Sequence, residues 1–186
     1  TGLEGVVFAD TALSEVDGER GRLVIAGHDV ERLSGQWSFE ALCHELWAGV
    51  PGATSTLELR AALGRERAWA FGQIASLGRA LHAADGMDAL RGAVGQLAAE
   101  GTPWDLGVRL TAAFAVFTAA WWRLREGLEP LRPDPEAGHA EDLVRMLRAN
   151  ATAHRAAALE TYLVTVSHHG MNASTFTARV ITSTGS

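Results

Sequence analysis

A chain of 186 residues can form one domain with a sizeable core. An apolar content of 47% and a net charge of −6 are ordinary for a soluble globular protein. All 16 basic residues are arginine, which excludes a lysine Schiff base and a phosphate-binding loop that ends in lysine. A mildly acidic surface with no basic run argues against a nucleic-acid partner. Cys43 stands alone, so no internal disulfide forms, and a cytoplasmic location fits. No signal-peptide pattern opens the chain, and the longest apolar stretch, 110–122, contains Thr111 and Thr118 and is too short to span a membrane. The chain begins at Thr1 and finishes on Ile181-Thr-Ser-Thr-Gly-Ser186 without a closing helix, so it reads as a piece cut from a longer one.

Residues 1–35 are the one strand-like region. Segments 11–16 and 22–25 flank Asp17-Gly-Glu-Arg-Gly21, a turn-forming stretch that predicts a short β-hairpin. The pattern is helical after that. Ser38 is a cap for Phe39, Leu42, Cys43, Leu46 and Trp47, and Gly49 and Pro51 end that helix. The spacing predicts further helices over 55–63, 68–83 and 87–100, with Asp85-Gly86 as a break. Pro103 opens a long helix to about residue 126, whose middle is apolar on every side and is expected to be buried all round. Three prolines mark 129–135 as a loop, and helices are predicted over 139–148, 153–167 and 173–182.

The densest polar cluster is 167–179, with two histidines, an asparagine, several hydroxyls and an arginine. Such groups, with the amides of a helix N-terminus, can hold a small polyanion. Gly170 stops the preceding helix, and Asn172 or Ser174 caps the next. Spacing alone favours a capped turn with two exposed histidines over a ligand site.

This segment, His169-Gly-Met-Asn-Ala-Ser-Thr-Phe-Thr-Ala-Arg-Val180 followed by Ser183 and Thr184, resembles the oxaloacetate-binding segment of bacterial citrate synthases. Collinear matches run upstream through Gly2-Leu-Glu-Gly-Val6, Thr11, Asp17-Gly-Glu-Arg-Gly-Arg-Leu23, Gly27-His-Asp29, Ser38-Phe-Glu40 and Leu46-Trp-Ala-Gly49. They continue through Met87-Asp-Ala-Leu-Arg91, Arg123-Leu-Arg-Glu-Gly-Leu-Glu-Pro130 and Pro133-Asp-Pro135. The chain is thereby identified as similar to the N-terminal portion of the citrate synthase and 2-methylcitrate synthase family.

The resemblance implies an all-α fold with a large and a small domain, a homodimer, and condensation of acetyl-CoA or a related acyl-CoA with oxaloacetate to citrate and CoA. It implies no cofactor besides the acyl-CoA substrate. Catalysis in the family needs a carboxylate base, one histidine for the enol and one for the ketone. The family pattern puts all three beyond Ser186, so residues 1–186 are expected to be part of the large domain, without the small domain or the catalytic segments, and inactive alone. Carried over onto this chain are His169 as an oxaloacetate ligand and Asn172 beside it. Three places depart from the pattern. Ser167-His168 stands for Ala-Asp, Ile25-Ala-Gly-His28 for Tyr-Arg-Gly-Tyr, and Val50-Pro-Gly-Ala-Thr54 for Leu-Pro-Thr. They suggest a divergent paralogue with a different keto acid or decayed activity. The alternative is a non-catalytic binding or partner subunit.

Elsewhere, Met87, Phe114, Phe117, Trp121 and Trp122 read as core or dimer contacts, and His44 and His82 as surface helix residues. Cys43 lies on an apolar face and reads as inert. Side chains of adjacent histidines on a helix diverge and no third ligand follows at metal spacing, so no metal site is expected at His168 and His169. The sequons at Asn150 and Asn172 would go unused in a cytoplasmic protein.

Overall fold

The computed structural model describes residues 10–148 and 150–184; the match quoted at 2–6 lies outside them. The hairpin forms as its turn residues require. Asp17 Oδ1 accepts the Arg20 N–H at 3.0 Å, and Gly21 takes a φ of +62°. Strand β1 (Ser14–Asp17) then runs antiparallel to β2 (Arg22–Ile25), with Asp17 opposite Arg22. A third strand, β3 (His28–Asp29), was not expected. Ala26 and Gly27 both have positive φ, 49° and 82°, and make the two-residue turn that leads into it. Ala26 is the one described non-glycine residue in that region.

Eight α-helices follow among the described residues. The short α1 (Val30–Leu33) leads to α2 (Phe39–Leu46), capped by Ser38 Oγ accepting the Ala41 N–H at 3.1 Å. The helices predicted over 55–63 and 68–83 are instead one helix, α3 (Thr56–Gln73), followed by two 3-10 turns at Ile74–Ser76 and Ala80–His82. The polar interruption at 64–67 does not break α3, because its members have long-range partners. Gly64 lies against the Pro135 carbonyl, and Arg67 is wholly buried in an ion pair. A Ser55–Glu58 capping box starts the helix.

Asp85 caps α4 (Gly86–Val94), which ends six residues earlier than its apolar pattern predicts. A Thr102–Asp105 capping box and Pro103 at the first helical position begin α5 (Pro103–Arg125). Next come α6 (His139–Leu147), α7 (Ala153–Thr165) and α8 (Ala173–Ser183). The fold is all-α apart from the small antiparallel sheet.

α5 is the central element, packed by α3, α4 and α6. Its buried residues include Ala112, Ala113, Ala115, Ala119 and Ala120, and these small side chains admit neighbouring helices closely. Burial all round does not hold, however: Leu110 and Phe114, one turn apart, are 38% and 44% exposed. A second cluster joins Cys43, Leu59, Leu63, Trp104 and Val108, with Trp47 edge-on to Trp104 at 5.6 Å. Burial there pushes the Cys43 thiol up to about 12, in keeping with inert core. A third cluster positions the site: Ile25 of β2, Leu33, Leu42 and Val164 of α7 are fully buried together. It ties the sheet to the end of α7.

Candidate functional site: the turn between α7 and α8

α7 stops at Thr165, two residues before the predicted end. The Thr165 and Ser167 hydroxyls donate to the carbonyls of Tyr162 and Val164, at 3.0 and 2.9 Å, and so occupy groups of its last turn. The chain then turns through Gly170, whose φ of +88° favours glycine. Asn172 is the cap that α8 uses, its Oδ1 accepting the Thr175 N–H at 2.9 Å.

His169 is exposed on this turn and makes no hydrogen bond or ion pair among the described residues. Asn172 is also exposed, and its cap bond uses only the side-chain oxygen, which leaves the amide nitrogen as a donor. Both residues sit at the N-terminal end of α8, where the backbone N–H groups carry partial positive charge. Arg179 is exposed further along α8, a helix that buries no residue.

His168 and His169 lie in the turn itself, past the end of α7, and not on one helix. His168 is half-buried. Its Nδ1 lies 2.8 Å from Ser14 Oγ on β1 and 3.3 Å from the Gly170 nitrogen. The Gly170 N–H can only donate, so Nδ1 is the acceptor, the Ser14 hydroxyl donates, and the imidazole proton resides on Nε2. Burial first, and the neighbouring His169 second, hold the His168 pKa below the ordinary value.

A second polar constellation escaped sequence reasoning. Glu40, Arg67, His139 and Asp142 are all buried. Arg67 Nε donates to Asp142 at 2.7 Å, and Arg67 Nη2 donates to the carbonyls of Asp134 and Ala137 at 3.1 and 2.8 Å. Asp142 also accepts from Arg145 and from the Asp134 N–H. Glu40 accepts the His139 N–H at 2.7 Å, and Phe39 stacks on the His139 ring with centroids 4.8 Å apart. Burial, reinforced by Arg67, lowers the His139 pKa to about 3. The network pins the proline-rich loop between α3 and α6. The one sequence signal was Arg67 itself, which falls on the buried stripe Leu59, Leu63, Arg67, Ala70.

Beside His139, a groove of about 330 Å³ is lined by Phe39, Thr111, Phe114, Thr118 and Leu163. Among the described residues no three His, Cys, Asp or Glu side chains converge on a possible metal position. No helix of the described residues is long and apolar enough to cross a membrane.

Residues 2–186 match the family model described as citrate synthase, C-terminal domain. The chain is 33% identical over 198 residues to a citrate synthase of Mycolicibacterium smegmatis, covering 100% of this chain and 52% of that protein. It is 32% identical over 196 residues to a 2-methylcitrate synthase of Mycobacterium tuberculosis, covering 100% of this chain and 49% of that one. The chain thus spans about half the length of the curated relatives it matches. Citrate synthase from Thermotoga maritima superposes with a TM-score of 0.84 at 28% identity, over 100% of this chain and 51% of its own. The Thermoplasma acidophilum citrate synthase, solved as a ternary complex with carboxymethyl coenzyme A and oxaloacetate, superposes with a TM-score of 0.73 over 93% of this chain and 48% of its own. At 19% identity that likeness speaks for the fold alone.

Proposed function

Because the chain belongs to the citrate synthase family, we propose that it forms part of the oxaloacetate site of an enzyme that condenses acetyl-CoA, or a related acyl-CoA, with oxaloacetate to give citrate and CoA. In this reading residues 1–186 are the N-terminal part of the large domain. The protein acts in the cytoplasm, as a homodimer or joined to the remaining half of the fold, with no cofactor beyond its acyl-CoA substrate. The exposed Leu110–Phe114 line of α5 and the adjoining groove supply apolar surface for such association.

The observation that carries the reading is the concentration of unused donors on one turn. His169, the Asn172 amide and the N–H groups of Ala173 and Ser174, which precede the capped Thr175 N–H, stand within a few residues of one another, and neither side-chain donor is spent on the fold. Oxaloacetate is a dicarboxylate, and charge-assisted hydrogen bonds from such donors are the strong ones. The chain's task in the reaction is to hold and orient the keto acid. No residue of it is assigned to removing the methyl proton or polarising the ketone, and those groups come from outside it.

In the complete enzyme, His169→Ala is expected to weaken oxaloacetate binding by about 1.5–3 kcal/mol, the range for a hydrogen bond to a charged group. Titration calorimetry measures it, and unchanged affinity overturns the assignment of His169. The 186-residue chain alone is expected to release no thiol from acetyl-CoA, with or without oxaloacetate. Oxaloacetate-dependent release would mean that the catalytic groups lie within the chain. Binding of a keto acid without turnover by the complete protein would favour a binding or partner subunit.

A further inference from the structure

The turn that bears His169 has little of its own to hold it. α8 buries no residue, and Gly170 has the positive φ that glycine adopts without strain. Yet a ligand-binding side chain needs a fixed backbone, because a loose donor loses much of its binding energy to ordering. The anchor lies across the molecule on β1. β1 pairs with β2, and Ile25 of β2 is fully buried in the same cluster as Val164 at the end of α7. One side chain joins that rigid edge to the turn, the imidazole of His168, with Ser14 on one side of Nδ1 and the Gly170 N–H on the other. A Cβ at Gly170 would lie 3.8 Å from Val16 Cγ2, so the turn already rests on the β1 face that carries Ser14 and Val16.

We propose that His168 is a positioning residue: its neutral imidazole, accepting at Nδ1 from Ser14 and Gly170, clamps the turn to β1 and so presents His169 to oxaloacetate. The inference rests on the reading of His169 as an oxaloacetate ligand. It also gives the Ala-Asp to Ser167-His168 departure a physical content. An aspartate can accept hydrogen bonds throughout the neutral range, whereas His168 accepts at Nδ1 only while neutral.

Acidification therefore breaks the Gly170 half of the clamp, while the Ser14 hydroxyl can rotate to accept from the protonated ring. Protonation turns Nδ1 into a donor, and the Gly170 N–H, which can only donate, is left without a partner. The charged groups near His168 are few. His169 adjoins it and disfavours a second positive charge. On β1, Glu15 alternates to the opposite face from Ser14, and Asp17 is bound to the Arg20 N–H. The last turn of α7 carries no basic residue and the first turn of α8 no acidic one.

The test uses nitrogen-15 spectroscopy of the 186-residue chain, comparing wild type with His168→Ala, His168→Asn and Ser14→Ala. The Asn side-chain oxygen takes the place of Nδ1 as an acceptor and does not titrate. At neutral pH the His168 ring is expected to carry its proton on Nε2. The protection factor of the Gly170 amide is expected to fall about tenfold in His168→Ala and to return to within about twofold of wild type in His168→Asn. Wild type is expected to lose this protection as His168 titrates, and His168→Asn to show no such step. If His168→Ala fails to fold, Ser14→Ala keeps the imidazole and still loosens the turn. A proton on Nδ1 at neutral pH, or unchanged Gly170 protection in both His168→Ala and Ser14→Ala, overturns the proposal. Oxaloacetate titrated into the complete enzyme and its His168→Ala and His169→Ala variants separates the two readings. If His169→Ala weakens binding and His168→Ala does not, the positioning role is overturned while His169 stands. If His169→Ala leaves the oxaloacetate affinity of the complete enzyme unchanged although the Gly170 clamp is present, the functional reading fails and the clamp survives as a structural feature.

Discussion

The loop before α6 and the turn before α8 each place a histidine beside the start of a helix, and they are held by very different amounts of structure. The loop before α6 is tied down from several directions by Arg67, Asp142, Arg145 and Glu40, and α6 buries five of its nine residues. The turn before α8 is tied across the molecule by the His168–Ser14 contact, and α8 buries none. The histidines follow. His139, stacked on Phe39 and facing Arg67, is driven to a pKa of about 3 and locked in the neutral form. His168 is lowered as well, by burial and then by its neighbour His169, and His169 is left exposed with no hydrogen bond among the described residues. A buried polar network holds the first connection, and the second is held lightly, with its polar side chains turned to solvent.

The sharpest way to break this contrast is at Asp142. Asp142→Ala leaves Arg67 buried without its counter-charge, and the expected loss is about 3–5 kcal/mol in urea unfolding. A loss below about 1 kcal/mol would mean that water or another acceptor replaces the carboxylate.

Gly64→Ala comes next. The new Cβ would meet the Pro135 backbone carbonyl, which a side-chain rotation cannot relieve. The cost is expected to be about 1–3 kcal/mol, as for overpacking elsewhere, and should displace the 129–138 loop signals but not those of the α8 turn.

His139 should show itself through pH. Its folded pKa lies below the ordinary histidine value, so the unfolded chain binds the proton more readily. Its contribution is fully present above about pH 6.5 and is lost at up to about 1.4 kcal/mol per pH unit as the pH falls towards the folded value. His139→Phe keeps the stacking on Phe39 and should flatten the stability profile between those limits. An unchanged slope would show that other groups dominate acid unfolding.

The smallest effect is expected at Asn172. Asn172→Ala removes the α8 cap, worth about 1 kcal/mol to the helix. Because α8 buries nothing, amide exchange within 173–176 should quicken while the global unfolding midpoint stays put. A global loss would reveal that α8 is packed more firmly than its exposure suggests.

Much of the fold was legible because the deciding contacts are local. Ser38, Asp85 and Pro103 mark helix starts through bonds or dihedrals within a few residues, and Asp17 and Gly21 do the same for the hairpin. The capped turn at Gly170 and Asn172 was equally readable, since glycine conformation and side-chain capping act over three residues or fewer; local pattern by itself assigned no ligand role to His169 or Asn172.

Tertiary structure alone decided the rest. Arg67 and Asp142 stand 75 residues apart and His168 and Ser14 stand 154 apart, and no periodicity encodes such pairings. The break predicted inside α3 vanished because Gly64 and Arg67 find their partners on the far loop, and a long-range contact can override a gap in apolar spacing. The all-round burial predicted for α5 failed at Leu110 and Phe114, because periodicity records which faces are apolar and not whether a neighbour arrives to cover them. Composition and local pattern thus determined the helices, the hairpin and the polar turn. Which charges are buried, which helices merge and which histidine holds the turn in place depend on contacts between residues far apart in the chain, which only the folded arrangement brings within bonding distance.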